Sequence, residues 1–212
     1  MTKDTVNLKS LTPLLAELER AARWVPDATG MDYLEHPIVF TIQTNGRRPS
    51  VLGHFASERW ADKDGNKVHE ISIAAEHLHR EPIEVIETVI HELVHAWNEE
   101  LGVQDTSRGN LYHNKQFKEA AESVGLVVVK MATHGWAGTS LSDSLRAKIE
   151  DGLVIDEKVF ELARQALPKA PKKPPTKQYT YRCQPCGYSV RSKKAGLSIT
   201  CDDCGEKLEI KS

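Results

Sequence analysis

His91-Glu92-Leu93-Val94-His95 sets two imidazoles and a carboxylate within one short stretch. On an α-helix, residues four apart stack on the same face, so both rings can chelate a single metal ion. The glutamate between them projects from the edge of that face, where it can take a proton from a metal-activated water. A zinc-dependent peptidase needs that spacing. The alternative is a pair of histidines that are merely solvated or satisfied in a core, and the flanking residues bear on the choice.

Those flanks favour a helix. Pro82 suits a first turn, where its missing N–H loses no bond. Glu81, Glu84 and Glu87 place negative charge near the positive end of the helix dipole. Gly102 is a plausible stop. Ile83, Ile86, Val89, Ile90, Leu93, Ala96, Trp97 and Leu101 share a broad apolar face. His91, His95 and Asn98 fall opposite.

A catalytic zinc takes three protein ligands and keeps a fourth position open. Six residues beyond His95 stands Leu101, so the ligand is not a histidine at that offset. Glu119 and Glu122 are downstream carboxylates, but on a helix over Tyr112–Val124 they point away from the face of Phe117, Ala120, Ala121 and Val124. His113 belongs to that face and is the better third ligand. Glu92 would then be the general base and, later, the acid that protonates the leaving amine. Tyr112 offers a phenol to a developing oxyanion, against a role in packing. His134, in Thr133-His134-Gly135-Trp136, is a second candidate for substrate or transition-state contact. Asn98 is placed to orient a ligand or the Tyr112 loop. His54, His69, His77 and His79 lack ligand spacing to the motif. Trp24 and Trp60 read as anchors at core edges.

The four cysteines form Cys183-x2-Cys186 and, fourteen residues on, Cys201-x2-Cys204, each pair followed by glycine, Gly187 and Gly205. Four thiolates so spaced imply a closed, structural zinc site. Two disulfides are the competing interpretation, disfavoured in a reducing compartment. So short a ribbon has too little core to fold unaided, so metal binding and folding would be coupled.

Taken together, His91-Glu92-Leu93-Val94-His95-Ala96-Trp97-Asn98, Gly109-Asn110-Leu111-Tyr112-His113-Asn114-Lys115-Gln116-Phe117 and the cysteine ribbon resemble the SprT-like metallopeptidase family. The resemblance covers about residues 10–135 and 179–210. That family includes the Spartan proteases, which degrade proteins crosslinked to DNA. The likeness implies a zincin-like α+β fold, carries the third zinc ligand onto His113, and suggests DNA-bound or DNA-crosslinked proteins as substrates. Asn114 stands where many relatives have glycine, which touches local backbone geometry and leaves the ligand intact.

Apolar residues make up 40% and charged residues 27% of the chain, as in ordinary globular proteins. There is no apolar run long enough for a membrane span, and the first ten residues are polar, unlike a secretory signal. An intracellular protein is expected. The net charge of −2 divides unevenly: residues 168–212 carry ten Lys or Arg against four Asp or Glu, and residues 1–167 carry 18 against 26. A polyanion would therefore meet the tail.

The expected organisation is a zincin-like metallopeptidase domain over 1–167, a Pro/Lys-rich linker over 168–178 and a zinc ribbon over 179–212. Helices are expected over Leu8–Val25, across the metal motif, and over Tyr112–Val124, Ser142–Asp151 and Asp156–Leu167. Strands are expected at Ile38–Thr44, Ser50–Ala56, Val68–Ala74 and Leu126–Met131, with a turn at Asn45-Gly46 joining the first two. Pro168–Lys177 holds four prolines and four lysines, an extended tether that attracts phosphate diffusely through Lys169, Lys172, Lys173 and Lys177. Arg182, Tyr188, Arg191, Lys193 and Lys194, with Tyr179 and Tyr181, mix cationic and aromatic groups as single-strand nucleic-acid binders do. Two functions remain in contention: a zinc endopeptidase whose ribbon brings it to DNA, and a non-catalytic, nucleic-acid-associated zinc-binding protein.

Overall fold

Residues 8–32, 34–44, 50–165 and 177–210 are described by a computed structural model of the chain. They divide into two compact units, Met1–Ala166 and Leu167–Ser212. The architecture is mixed α and β, with four α-helices and three small sheets. Among the described residues no helix is long and apolar enough to cross a membrane.

Helix α1 (Thr12–Thr29) opens with proline in its first turn and ends at Gly30, whose left-handed backbone (φ 78°) lets its N–H reach Pro26 O. Its buried stripe, Leu14, Leu18, Ala21 and Val25, follows the helical repeat. Strands β1 (Ile38–Gln43), β2 (Gly53–Ala61) and β3 (Lys67–Ala74) form the first sheet in the order β1-β3-β2. The first two strands are thus not neighbours. The expected Asn45-Gly46 turn lies outside the described residues, and β3 runs between β1, to which it is parallel, and β2, to which it is antiparallel. Burial explains the order: from His69 to Ala74 every residue of β3 is buried, as suits a central strand, whereas β2 from Ser57 onward is exposed, as suits an edge. A register shift between Ala56 and Trp60 bends that edge, with Glu58 at φ 48°. Strand β2 therefore begins and ends later than the apolar run Ser50–Ala56 indicated.

Helix α2 (Pro82–Glu100) carries the metal motif and ends before Gly102, where φ is 66° and the N–H bonds to Glu99 O. Its burial is wider than one face. Ile86, Val89, Ile90 and Leu93 join the core, and Val85, Thr88, Glu92, Val94 and Asn98 are buried as well. Each fully buried aliphatic side chain there contributes about 1.5–3 kcal/mol.

The chain then forms β4 (Thr106–Ser107), β5 (Tyr112–His113), α3 (Lys115–Ser123), β6 (Leu126–Met131), β7 (Gly135–Leu141) and α4 (Asp143–Gly152). The second sheet runs β4-β5-β7-β6. Two helical expectations need correction. The helix expected from Tyr112 starts only at Lys115, because Asn114 takes an extended conformation and its side chain caps the N–H groups of Gln116 and Phe117. His113 therefore sits on a short strand. Within Asp156–Leu167 the described residues hold only a 3₁₀ turn at Glu157–Phe160; farther on, the Arg164 N–H donates to Ala75 O instead of to a helical carbonyl.

In the second unit, β8 (Tyr179–Arg182), β9 (Ser189–Ser192) and β10 (Glu209–Ile210) form an antiparallel sheet ordered β10-β8-β9. Its small core is Tyr181, Cys183, Cys201 and Leu208.

Gly135 is the tightest backbone position near the metal motif. It pairs with His113 across β5 and β7, at φ 66°. A Cβ there would lie 2.1 Å from His113 O and 2.8 Å from the Tyr112 ring. Gly135→Ala is expected to destabilise the protein by at least about 1–3 kcal/mol, the range for a strained backbone position, and to weaken metal binding by moving His113. Thermal denaturation and metal titration of the variant check both.

Candidate metal centre

His91 and His95 lie one turn apart on α2, and the Asn114 cap delivers His113 from β5 against them. The His113 Nε2 is 3.2 Å from His91 Nε2 and 3.0 Å from His95 Nε2. Phe117, one turn into α3, packs against all three rings with centroids 4.6–4.7 Å apart.

Outer contacts bear on which nitrogen carries the proton in two of the three rings. His95 Nδ1 is 2.7 Å from Asp105 Oδ2, and the same oxygen accepts from Asn98 Nδ2 at 2.9 Å. A carboxylate only accepts, so Nδ1 donates and a neutral His95 has its lone pair on Nε2. His91 Nδ1 is 3.2 Å from Thr139 Oγ1. His113 Nδ1 is buried without a partner among the described residues. Burial pushes His91 well below the ordinary imidazole range, with the neighbouring His95 and His113 adding to the shift. Burial likewise pushes His113 down to about 4. With His113 Nε2 within 3.2 Å of the Nε2 atoms of both His91 and His95, the three rings form a group that could hold one metal ion.

Glu92 is buried beside these rings, 4% exposed. Burial pushes its carboxyl up to about 7, against the pull of His95 and a hydrogen bond from the Phe55 backbone. The start of β2 passes so close that a Cβ on Gly53 would lie 3.0 Å from Glu92 Oε1 and 2.9 Å from Thr88 Cγ2. Glycine at that position lets the strand approach the carboxylate.

The other candidates are placed differently. Tyr112 packs its ring against Gly135, beneath the Arg108 guanidinium 4.8 Å from the ring centroid. The His134 ring is exposed and bonds Thr133 Oγ1 at 2.7 Å, while its carbonyl accepts from His113 N. Its contribution is thus to hold the third histidine through the backbone. Asn98 acts on His95 through Asp105. Glu119 and Glu122 are exposed and pair with Lys115 and Lys118, away from the rings. Trp24 lies against Gly152, and Trp60 is 49% exposed on the edge strand. Asp105 and Thr139 escaped the sequence analysis, and Glu87 was read there only as a charge near the helix start; Asp105 precedes the short strand β4, and Thr139 lies 48 residues beyond His91 with no local pattern to mark it.

The four thiols are free and converge, with Cys186 Sγ and Cys201 Sγ 3.6 Å apart. Gly187 and Gly205 adopt φ 74° and 68°, and their N–H groups bond back to the carbonyls of Cys183 and Cys201. These are two equivalent knuckles, and the four thiolates can hold a metal. Arg182, Tyr188, Arg191, Lys193 and Lys194 are all exposed on this unit, whereas Tyr181 is buried with its hydroxyl bonded to Lys194 O. Lys169, Lys172 and Lys173 lie outside the described residues.

A third group brings ligand atoms of His36, His69 and Glu100 within 4.8 Å. Its hydrogen bonds are those of a clasp. Glu58 N–H donates to His69 Nδ1 at 2.9 Å, so neutral His69 keeps its proton on Nε2, the nitrogen 3.9 Å from Glu100. Nε2 would have to lose that proton before it could ligate. Glu100 accepts from the His36 backbone N–H at 2.8 Å and from its ring at 2.9 Å, fastening the end of α2 to the entry of β1.

The chain matches no protein-family model, no curated protein and no solved structure.

The clasp makes stability depend on pH. The hydrogen bond and charge of Glu100 raise His36 above its ordinary value. For Glu100, burial acts upward but the His36 bonds prevail and hold it low. The His36 contribution is present below its unfolded value of about 6.5 and fades as pH rises through its raised one; that of Glu100 is present above about 4.3 and fades on acidification. The difference in melting temperature between wild type and Glu100→Gln is expected to peak between about pH 5 and 6.5 and to shrink above neutrality. A difference independent of pH would contradict the pairing.

Proposed function

We propose that the chain is a zinc-dependent endopeptidase of the SprT-like family, with a zincin-like catalytic unit and a ribbon built on a structural zinc. The observation that carries this reading is the convergence of His91, His95 and His113 Nε2 beside a buried Glu92. Three neutral imidazoles and a vacant fourth direction are the ligand set of a catalytic zinc, and a structural site has no use for a base next to it. A bound zinc supplies Lewis acidity, polarising a scissile carbonyl and acidifying water at neutral pH.

The protein's own groups supply the rest. Glu92 receives the proton from the attacking water and passes it to the leaving amine. Its burial, which raises the carboxyl to about 7, keeps the proton affinity near the operating pH, where such transfers are most efficient. Asp105, held by Asn98, keeps His95 in the ligating tautomer. Phe117 packs on the rings and fixes their mutual angle.

The substrate class follows from the resemblance and the ribbon: proteins bound or crosslinked to DNA, in an intracellular compartment. Thr180, Arg182 and Arg191 fall on one side of the β8–β9 pair, opposite the side of buried Tyr181. With Tyr188, Lys193 and Lys194 also exposed, that surface has the cationic and aromatic groups that engage single-stranded nucleic acid. A non-catalytic nucleic-acid-associated protein would share the ribbon but leaves the burial of Glu92 beside the three rings without a purpose.

The test is cleavage of a DNA-binding protein, with and without single-stranded DNA, by wild type and Glu92→Gln. Glu92→Gln is expected to keep its metal and lose about 10²–10⁴-fold in rate, and single-stranded DNA is expected to stimulate the wild type. Equal rates for the two proteins would remove the proposed mechanism; cleavage indifferent to DNA would remove the targeting role alone.

A further inference from the structure

We infer that Thr139 and Glu87 are positioning residues for His91: a hydroxyl relay, anchored on a half-buried carboxylate, that holds this ring in its ligating tautomer. The inference rests on the proposed zinc site and extends it to strand β7. Thr139 Oγ1 lies 3.2 Å from His91 Nδ1 and donates its own proton to Glu87 Oε1 at 3.1 Å. A hydroxyl has one proton, so once Thr139 spends it on Glu87 its oxygen can only accept from His91. Nδ1 must then be the protonated nitrogen, which leaves the Nε2 lone pair facing His95 and His113. Glu87 stands one helical turn before His91 on α2, so helix geometry itself sets the carboxylate beside the hydroxyl.

The three ligands are supported unequally. His95 bonds a carboxylate directly. His91 reaches one only through Thr139, and His113 Nδ1 has none among the described residues. His113 is instead held by its backbone, its N–H donating to His134 O and its residue pairing with Gly135 at the start of β7. Strand β7 thus touches the third ligand at one end and, through Thr139, the first ligand farther along. One strand therefore sets the distance between the helix-borne pair and His113. Thr139 itself contacts neither reacting atoms nor the metal position, and it acts through His91.

The experiment measures metal affinity at the histidine site, by chelator competition on the intact chain. Cobalt(II) substitution distinguishes this site from the tetrad, whose thiolates give their own charge-transfer absorption. Thr139→Val keeps shape and strand propensity but cannot accept; Thr139→Ser keeps the relay; Glu87→Gln removes the charge at its end. Thr139→Val is expected to weaken zinc at the histidine site by about 10–100-fold, as loss of such an outer contact does. Glu87→Gln is expected to weaken it less, and Thr139→Ser to stay within about threefold of wild type on the same scale. The cobalt spectrum of the thiolate site should be unchanged in all three, and an unchanged melting transition of the first unit, followed by circular dichroism, reports that the variants fold. Wild-type affinity in Thr139→Val, or equal loss in Thr139→Ser, would overturn the relay. His113→Ala serves as the reference: if it too retains wild-type affinity, the fault lies with the proposed zinc site and not with Thr139.

Discussion

Three imidazoles from two separate elements meet at one point, His113 Nε2 lying 3.2 Å from His91 Nε2 and 3.0 Å from His95 Nε2, and the first unit is arranged to hold that convergence. Helix α2 supplies two rings at fixed spacing. The third arrives on a two-residue strand, stopped by the Asn114 cap and locked to β7 at Gly135. Phe117 fills the space under the rings, and Asp105 dictates the protonation of His95. Each of these features would be idle in a protein that used α2 only for packing.

Burial works in two senses at the site. It strips the rings of charge, as the depressed His91 and His113 values indicate, and so leaves their lone pairs free. It also raises Glu92, turning an ordinary carboxylate into a group able to take and return a proton near neutrality. A bound divalent cation opposes that second effect, since positive charge nearby favours the carboxylate. On the proposed reading the Glu92 side chain would be set between low dielectric and a dication, the balance from which acid–base catalysts are made.

Much of this was legible in the sequence because it depends on short-range periodicity. The five-residue motif, its helix and the glycine stop are local, and so are the cysteine knuckles with their glycines at positive φ. The long-range parts were not. That β3 would part β1 from β2 depends on which strand is buried on both faces, which alternation in a single chain does not rank. His113 does lie with His91 and His95, but not on the helical face from which it was singled out; the capping capacity of Asn114, which ends the extended segment, was the overlooked signal. Asp105 and Thr139 are ordinary polar residues in a loop and a strand, and only the folded backbone brings them to Nδ1 atoms far away in sequence.

The ribbon shows a simpler economy. Its buried core is four side chains, two of them cysteines, so on the proposed reading most of its stability would come from a bound metal. That leaves its outer strand face free to carry Arg182 and Arg191. The first unit has its own core around α1, α2 and the first sheet, so on the proposed reading the metal there would not build the fold. Metal removal should thus unfold one unit and merely disarm the other.

The most direct measurement is a crystal structure of the zinc-loaded chain with anomalous scattering recorded at the zinc edge. The account requires a peak about 2.0–2.1 Å from the Nε2 atoms of His91, His95 and His113, with its remaining direction open toward Glu92. Absence of that peak, or a fourth protein side chain occupying the open direction, would contradict it.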